Sequence, residues 1–147
     1  MIAFIITGHG TYAPGMTGAM EMITGKQENL KTIPFLEGMT PEDFTQEIVT
    51  SIHEFKQEGL EIVVFADLLG GTPFKTAAAQ AFEQQGIVVV SGTNLPMLIE
   101  GAMMRLAITD AQQLVNQLLS TGRDGIQSLE IVTVEQEETD DLFTDGI

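Results

Sequence analysis

The chain has 147 residues, no cysteine and a formal net charge of -15 at pH 7. That length suits one domain burying roughly 70% of its unfolded surface, and the missing thiols exclude disulfides, Cys-type zinc sites and thiol chemistry, as befits a reducing compartment. The acidity argues against a nucleic-acid partner, whose phosphates demand a basic surface, while serving solubility or the steering of a basic protein partner.

Met1 to Ile6 is apolar but has no basic leader and reaches Gly8-His9-Gly10 almost at once. It is expected to be a buried strand and not a signal peptide. No apolar run approaches the roughly 18 residues needed to span a bilayer, so a cytoplasmic protein is expected.

The elements alternate along the chain. Ile2–Thr7 is a continuous apolar run, suited to a strand buried on both faces, and Tyr12–Thr24 carries Met16, Met20 and Ile23 at helical spacing. Leu30–Leu36 predicts a second strand. Thr40 as cap, Pro41 at the first helical position, and Glu42 and Asp43 at the positive end of the dipole predict a helix with Phe44, Ile48, Ile52 and Phe55 on one face. Glu61–Ala66 predicts a third strand, Gly70-Gly71-Thr72-Pro73 opens a third helix to about Gln85, and Ile87–Val90 predicts a fourth strand. Helices follow from Asn94 and Pro96 through Leu106, and from Asp110 to about Gly122; Met103 and Met104 are expected to fill core. Ser128–Val134 predicts a last strand, and the acidic residues from Glu135 to Asp145 a solvated tail. The whole predicts an α/β fold, a doubly wound, largely parallel sheet with helices on both faces.

Ligands of such sheets gather beyond the carboxyl ends of the strands, where the winding reverses. If the second and third strands flank the first, His9 and Asp67 line that crevice. A neutral imidazole is nucleophilic at neutral pH, and a carboxylate accepting one ring N–H leaves the other nitrogen free. Gly70, Gly71 and Thr72 at a helix N-terminus offer unpaired backbone donors suited to a phosphate. Taken alone, His9 could simply hydrogen-bond at a strand end, and the Gly-Gly-Thr-Pro run could be an ordinary capped turn. His53 reads as a surface histidine. With two histidines and no cysteine, a transition-metal site is not expected, nor any cofactor.

Gly8-x-Gly10-x-x-Ala13 also fits a dinucleotide-binding pattern between a strand and a helix. Against it stand His9 crowding the turn, Pro14 in the helix, and a chain too short for a second binding half.

Ile6–Gly10, Gly25–Asn29, Asp67–Phe74, Asn94–Leu98 and Thr121–Gly125, in that order and spacing, resemble the enzyme IIA component (EIIA) of the mannose/fructose/sorbose family of the sugar phosphotransferase system (PTS). The resemblance covers roughly residues 1–135, the expected domain, leaving 136–147 as an acidic tail. It implies that His9 is phosphorylated on Nε2 by phospho-HPr and passes the group to a histidine of an EIIB partner, which serves membrane EIIC and EIID components. It implies that Asp67 bonds the other ring nitrogen and that Gly71 and Thr72 contact phosphate. It further implies four parallel strands plus an antiparallel edge strand, Ser128–Val134, exchanged in a homodimer. Leu69 departs from an aromatic found in some members. A phosphocarrier serving dihydroxyacetone kinase has a similar leading domain and is the neighbouring alternative.

Overall fold

A computed structural model describes residues 1–133 of the chain. Its elements run β1 (Ala3–His9), α1 (Tyr12–Thr24), β2 (Leu30–Phe35), α2 (Pro41–Gln57), β3 (Ile62–Phe65), α3 (Thr72–Glu83), β4 (Ile87–Val90), α4 (Leu95–Met104) and α5 (Ala111–Asp124). The four strands form one sheet in the order β2-β1-β3-β4, every pairing parallel. The chain therefore winds outward from β1 in both directions, and the reversal falls between β1 and β3.

The period of two along each strand divides the core. Ile2, Phe4, Ile6, Val63 and Phe65 face α1, α4 and α5, where Met20, Leu98, Leu114 and Leu118 are fully buried. Ala3, Ile5, Ile62 and Val64 face the other way, onto Phe44, Ile48 and Ile52 of α2 and Ala77 of α3. Being buried on both faces is why these strands read as unbroken apolar runs. Phe4 and Phe65 meet edge to face across the first layer, ring centroids 4.8 Å apart.

Helix starts follow local chemistry. Thr40 accepts the Asp43 N–H at 3.1 Å, Asn94 the Met97 N–H at 3.3 Å and Asp110 the Gln113 N–H at 2.6 Å, each closing a first turn. Pro14 falls in the first turn of α1, where a missing N–H costs nothing, so it does not interrupt that helix. α5 runs to Asp124, slightly beyond the expected stop at Gly122. The Asn94–Leu98 and Thr121–Gly125 motifs face one another: the Asn94 side chain donates to the Gly122 carbonyl at 2.7 Å, locking α4 against α5.

Two expectations are revised. Met103 does not fill core; it is 67% exposed on the outer face of α4, while Met104 packs partly against the core. Residues 126–133 are exposed and form no strand; the expected strand's last residue, Val134, and the acidic tail lie outside the described residues. An extended segment needs a sheet edge to pair with, and among the described residues this one meets none in its own chain.

Candidate functional site

β1 outruns β3, and that difference builds the site. Ile6 stands opposite Phe65, which puts Asp67 level with Gly8 and one position short of His9. The pairing of the two strands ends where Ile6 meets Phe65, the last residue of β3. The Asp67 side chain reaches forward, and its Oδ2 lies 2.8 Å from His9 Nδ1. The imidazole is 46% exposed and the carboxylate 15%, so the first faces solvent while the second sits beneath it.

Three groups hold the ring. Asp67 takes Nδ1, Phe35 of the neighbouring strand meets the ring edge to face at 5.8 Å, and Phe44 backs Phe35 at 5.1 Å. A carboxylate at Nδ1 favours the tautomer with the proton there, which leaves Nε2 with a lone pair. No hydrogen-bond partner among the described residues occupies Nε2, and it lies on the side of Gly71.

Burial alone would push the Asp67 carboxyl up. The backbone N–H and ring of His9, its charge when protonated, and to a lesser degree the Leu68 amide outweigh that effect and hold the group below its ordinary value. Its other oxygen, Oδ1, is buried without a hydrogen-bond partner among the described residues.

The Gly70-Gly71-Thr72 segment closes the far side. Gly70 is exposed and turns with φ +77°, and Gly71 is the N-cap of α3. The expectation that both glycines offer free amides needs adjusting, because the Gly71 N–H is spent on the Leu68 carbonyl at 3.2 Å. What Gly71 supplies is space: a Cβ there would stand 2.8 Å from His9 Cε1. The open donors belong instead to the first turn of α3, at Thr72 and Phe74, where no intrahelical carbonyl is available and Pro73 has no N–H to leave unpaired.

The turn that a dinucleotide would occupy is already satisfied. The His9 amide donates to Asp67 Oδ2 at 2.9 Å and the Gly10 amide to the Phe35 carbonyl at 2.8 Å. A Cβ on Gly8 would stand 2.5 Å from Tyr12 Cδ1 and 2.9 Å from Asp67 Cγ, so that backbone has no open face for a pyrophosphate. His53 is exposed on α2, with Gln57 as its neighbour, far along the chain from these groups.

Residues 3–119 match the model of the family described as "PTS system fructose IIA component". The chain belongs to this family. It is 31% identical to the fructose-specific EIIA component of Bacillus subtilis over 86% of either chain. It is 32% identical to the mannose-specific EIIAB component of Escherichia coli over 92% of its own length, though it spans only 42% of that protein. Among solved structures, EIIA from Streptococcus agalactiae superposes with a TM-score of 0.80 at 35% identity, covering 87% of this chain and 97% of that one. An EIIA component takes part in phosphoryl transfer during sugar uptake, and no helix among the described residues is long and apolar enough to cross a membrane.

Two features of this EIIA chain escaped the sequence. Tyr12 stands beside Asp67 and its hydroxyl donates to the Thr93 carbonyl, three residues beyond β4; a lone aromatic opening a helix gave no signal of that. Arg105, at the other end of the sheet, is 1% exposed and donates to the carbonyls of Ile2, Glu28 and Asn29 and to the Gln27 side chain. Nothing in a single arginine after a methionine pair announces burial.

Proposed function

We propose that this chain is a phosphocarrier: His9 Nε2 accepts a phosphoryl group from phospho-HPr and gives it to a histidine of an EIIB partner, which serves membrane EIIC and EIID components. The observation that carries this reading is the 2.8 Å contact between His9 Nδ1 and Asp67 Oδ2, with the opposite nitrogen facing the amino end of α3. Asp67 orients the ring and stabilises the charge it gains on phosphorylation. Gly70 shapes the turn, Gly71 leaves room for the phosphoryl oxygens, and Thr72 offers them its amide and hydroxyl. Both transfers are in-line displacements between imidazoles, so catalysis rests on orientation and on donors placed around the moving group.

Leu36, Leu68 and Leu69 are exposed on the segments that follow Phe35 and Asp67, apolar surface of the kind that protein partners cover. The net charge of -15 favours a basic face on the donor. A carrier that exchanges phosphate with HPr and EIIB is expected to act in the cytoplasm.

The same reading makes the protein a homodimer. Residues 1–135 form the domain, with 136–147 an acidic appendix, and Ser128–Val134 pairs antiparallel with the partner's sheet. Its support is the edge of β4, unpaired among the described residues, the exposure of Ile126, Leu129, Ile131 and Val132, and a largely apolar groove along α4 lined by Pro96, Ile99, Glu100, Met103 and Met104. Light scattering on the full chain and on a form ending at residue 125 tests this, with a dimer expected only for the first.

The deciding experiment is incubation with enzyme I, HPr and labelled phosphoenolpyruvate. An acid-labile phosphate on His9 is expected, absent in His9→Ala and retained in His53→Ala. Normal labelling of His9→Ala would overturn the assignment.

A further inference from the structure

We infer that Tyr12 is a positioning residue for phosphoryl transfer: its ring screens the Asp67 carboxylate from water and so keeps His9 in the tautomer whose Nε2 is free to react. This deepens the phosphocarrier reading and rests on it for the rate, though not for the tautomer.

Gly8 shows how close the arrangement is. Tyr12 Cδ1 and Asp67 Cγ crowd the same point beside its backbone, at 2.5 and 2.9 Å from where a Cβ would be. The aromatic ring thus stands beside the carboxylate, on the element that follows His9 directly. Its hydroxyl is anchored, donating to the Thr93 carbonyl. Thr93 is in turn fixed by its own N–H to the carbonyl of Ala66, the residue before Asp67, at 3.2 Å. Asn94, the next residue, is held by the Gly122 carbonyl. Tyr12 therefore joins the chain segments around the ends of β1, β3 and β4, and the first two of these carry His9, the last residue of β1, and Asp67, just beyond β3.

The chemistry needs such a screen. Water competes for a carboxylate and weakens its hold on an imidazole N–H, whereas a pair kept from water is held more strongly. Burial, followed by the nearby charge of Asp67, pushes the Tyr12 hydroxyl up to about 12, so it remains a donor throughout the physiological range. A tyrosine that merely filled space would need neither the anchored hydroxyl nor the place beside Asp67.

The test compares Tyr12→Phe and Tyr12→Leu with the unaltered full chain. Two quantities are read: the Nδ1–H to Nε2–H ratio of the neutral His9 ring, from its nitrogen-15 shifts, and kcat and KM with phospho-HPr as donor. In Tyr12→Leu the ratio is expected to fall at least about threefold and kcat about tenfold, as for a weakened charged hydrogen bond, with KM unchanged. Tyr12→Phe, which keeps the ring and loses only the anchor, moves both the ratio and kcat in the same direction by about threefold. Tyr12→Phe with an unchanged ratio and kcat overturns the inference, as does a folded Tyr12→Leu that behaves like the parent. If the parent accepts no phosphate, the carrier reading fails by itself, and the tautomer ratio still decides the role of Tyr12.

Discussion

One carboxylate oxygen of Asp67 serves His9 twice, accepting the backbone N–H at 2.9 Å and lying 2.8 Å from Nδ1. The two contacts fix different things. The first sets the chain direction as β1 ends, and the second sets the plane and tautomer of the ring. Removing that oxygen therefore disturbs both the position and the chemistry of the imidazole.

Asp67→Ala is expected to slow transfer from phospho-HPr by about tenfold to a hundredfold, the worth of a hydrogen bond to a charged group at roughly 1.5–3 kcal/mol. Asp67→Asn keeps a neutral acceptor of the same shape and is expected to lose less. Single-turnover quench-flow measurements distinguish the two variants. Parent-like rates in Asp67→Ala would show that the pair does no more than end a strand.

Tyr12 offers a direct optical reading of the same neighbourhood, because the chain has one tyrosine and no tryptophan. Its hydroxyl is pushed up to about 12 by burial and then by the Asp67 charge, against about 10 for a free tyrosine. The unfolded chain thus releases this proton first, while the folded chain still holds it. The resulting contribution to stability is fully present below about pH 10 and is lost as the pH rises toward 12. Tyrosinate absorbance in folded protein is expected to rise with a midpoint near 12, and with a lower midpoint in Asp67→Asn. A midpoint near 10 in both would mean that the ring is open to water and far from that charge.

Most of the architecture was legible because burial on both faces and helix capping write themselves locally. Ile62–Phe65 and Ile87–Val90 are the short apolar strands expected, fully buried in the first and half-buried at Val88 and Val89 in the second, and Thr40, Asn94 and Asp110 cap the helices they were expected to start. The meeting of His9 and Asp67, 58 residues apart, followed from one topological premise, the reversal between β1 and β3, and the sheet order has it. Amide accounting within the turn was not legible. That the Gly71 N–H is spent on Leu68 depends on dihedral angles that the letters Gly-Gly-Thr do not specify. The exposure of Met103 was hidden for a different reason: helical spacing marks a face as apolar but does not say whether its own chain covers it.

Gly71→Ala separates space from backbone conformation. Gly71 has φ -69° and ψ 166°, an extended conformation that alanine adopts freely, so the fold and thermal midpoint are expected to change little. The added methyl would stand 2.8 Å from His9 Cε1 and must displace the ring or the turn. Phosphorylation is expected to fall by at least about tenfold, the cost of a modest misplacement of a reacting group. Labelling at the parent rate would show that the phosphoryl group does not use the gap between Gly71 and His9.

Arg105→Met tests the opposite end of the sheet, about 20 Å from His9 along β1 at roughly 3.3 Å per residue. The guanidinium lies 4.7 Å from the Phe4 ring centroid and bonds the carbonyls of Ile2 and Asn29 at 3.2 and 3.1 Å. Burial, opposed by the Glu28 charge, lowers its affinity for the proton without making it neutral near pH 7. Methionine preserves packing on Phe4 but takes the donor from the carbonyls of buried Ile2 and of Glu28, while the Asn29 carbonyl keeps the Phe4 N–H at 2.9 Å. A buried acceptor left unpaired costs about 1–3 kcal/mol, so a loss of that size in urea unfolding is expected from the Ile2 carbonyl. Phosphate labelling per folded molecule is expected to stay at the parent level, since no group around His9 depends on this cluster. A variant as stable as the parent would mean that water satisfies those carbonyls and that the arginine does not clamp the bottom of the sheet.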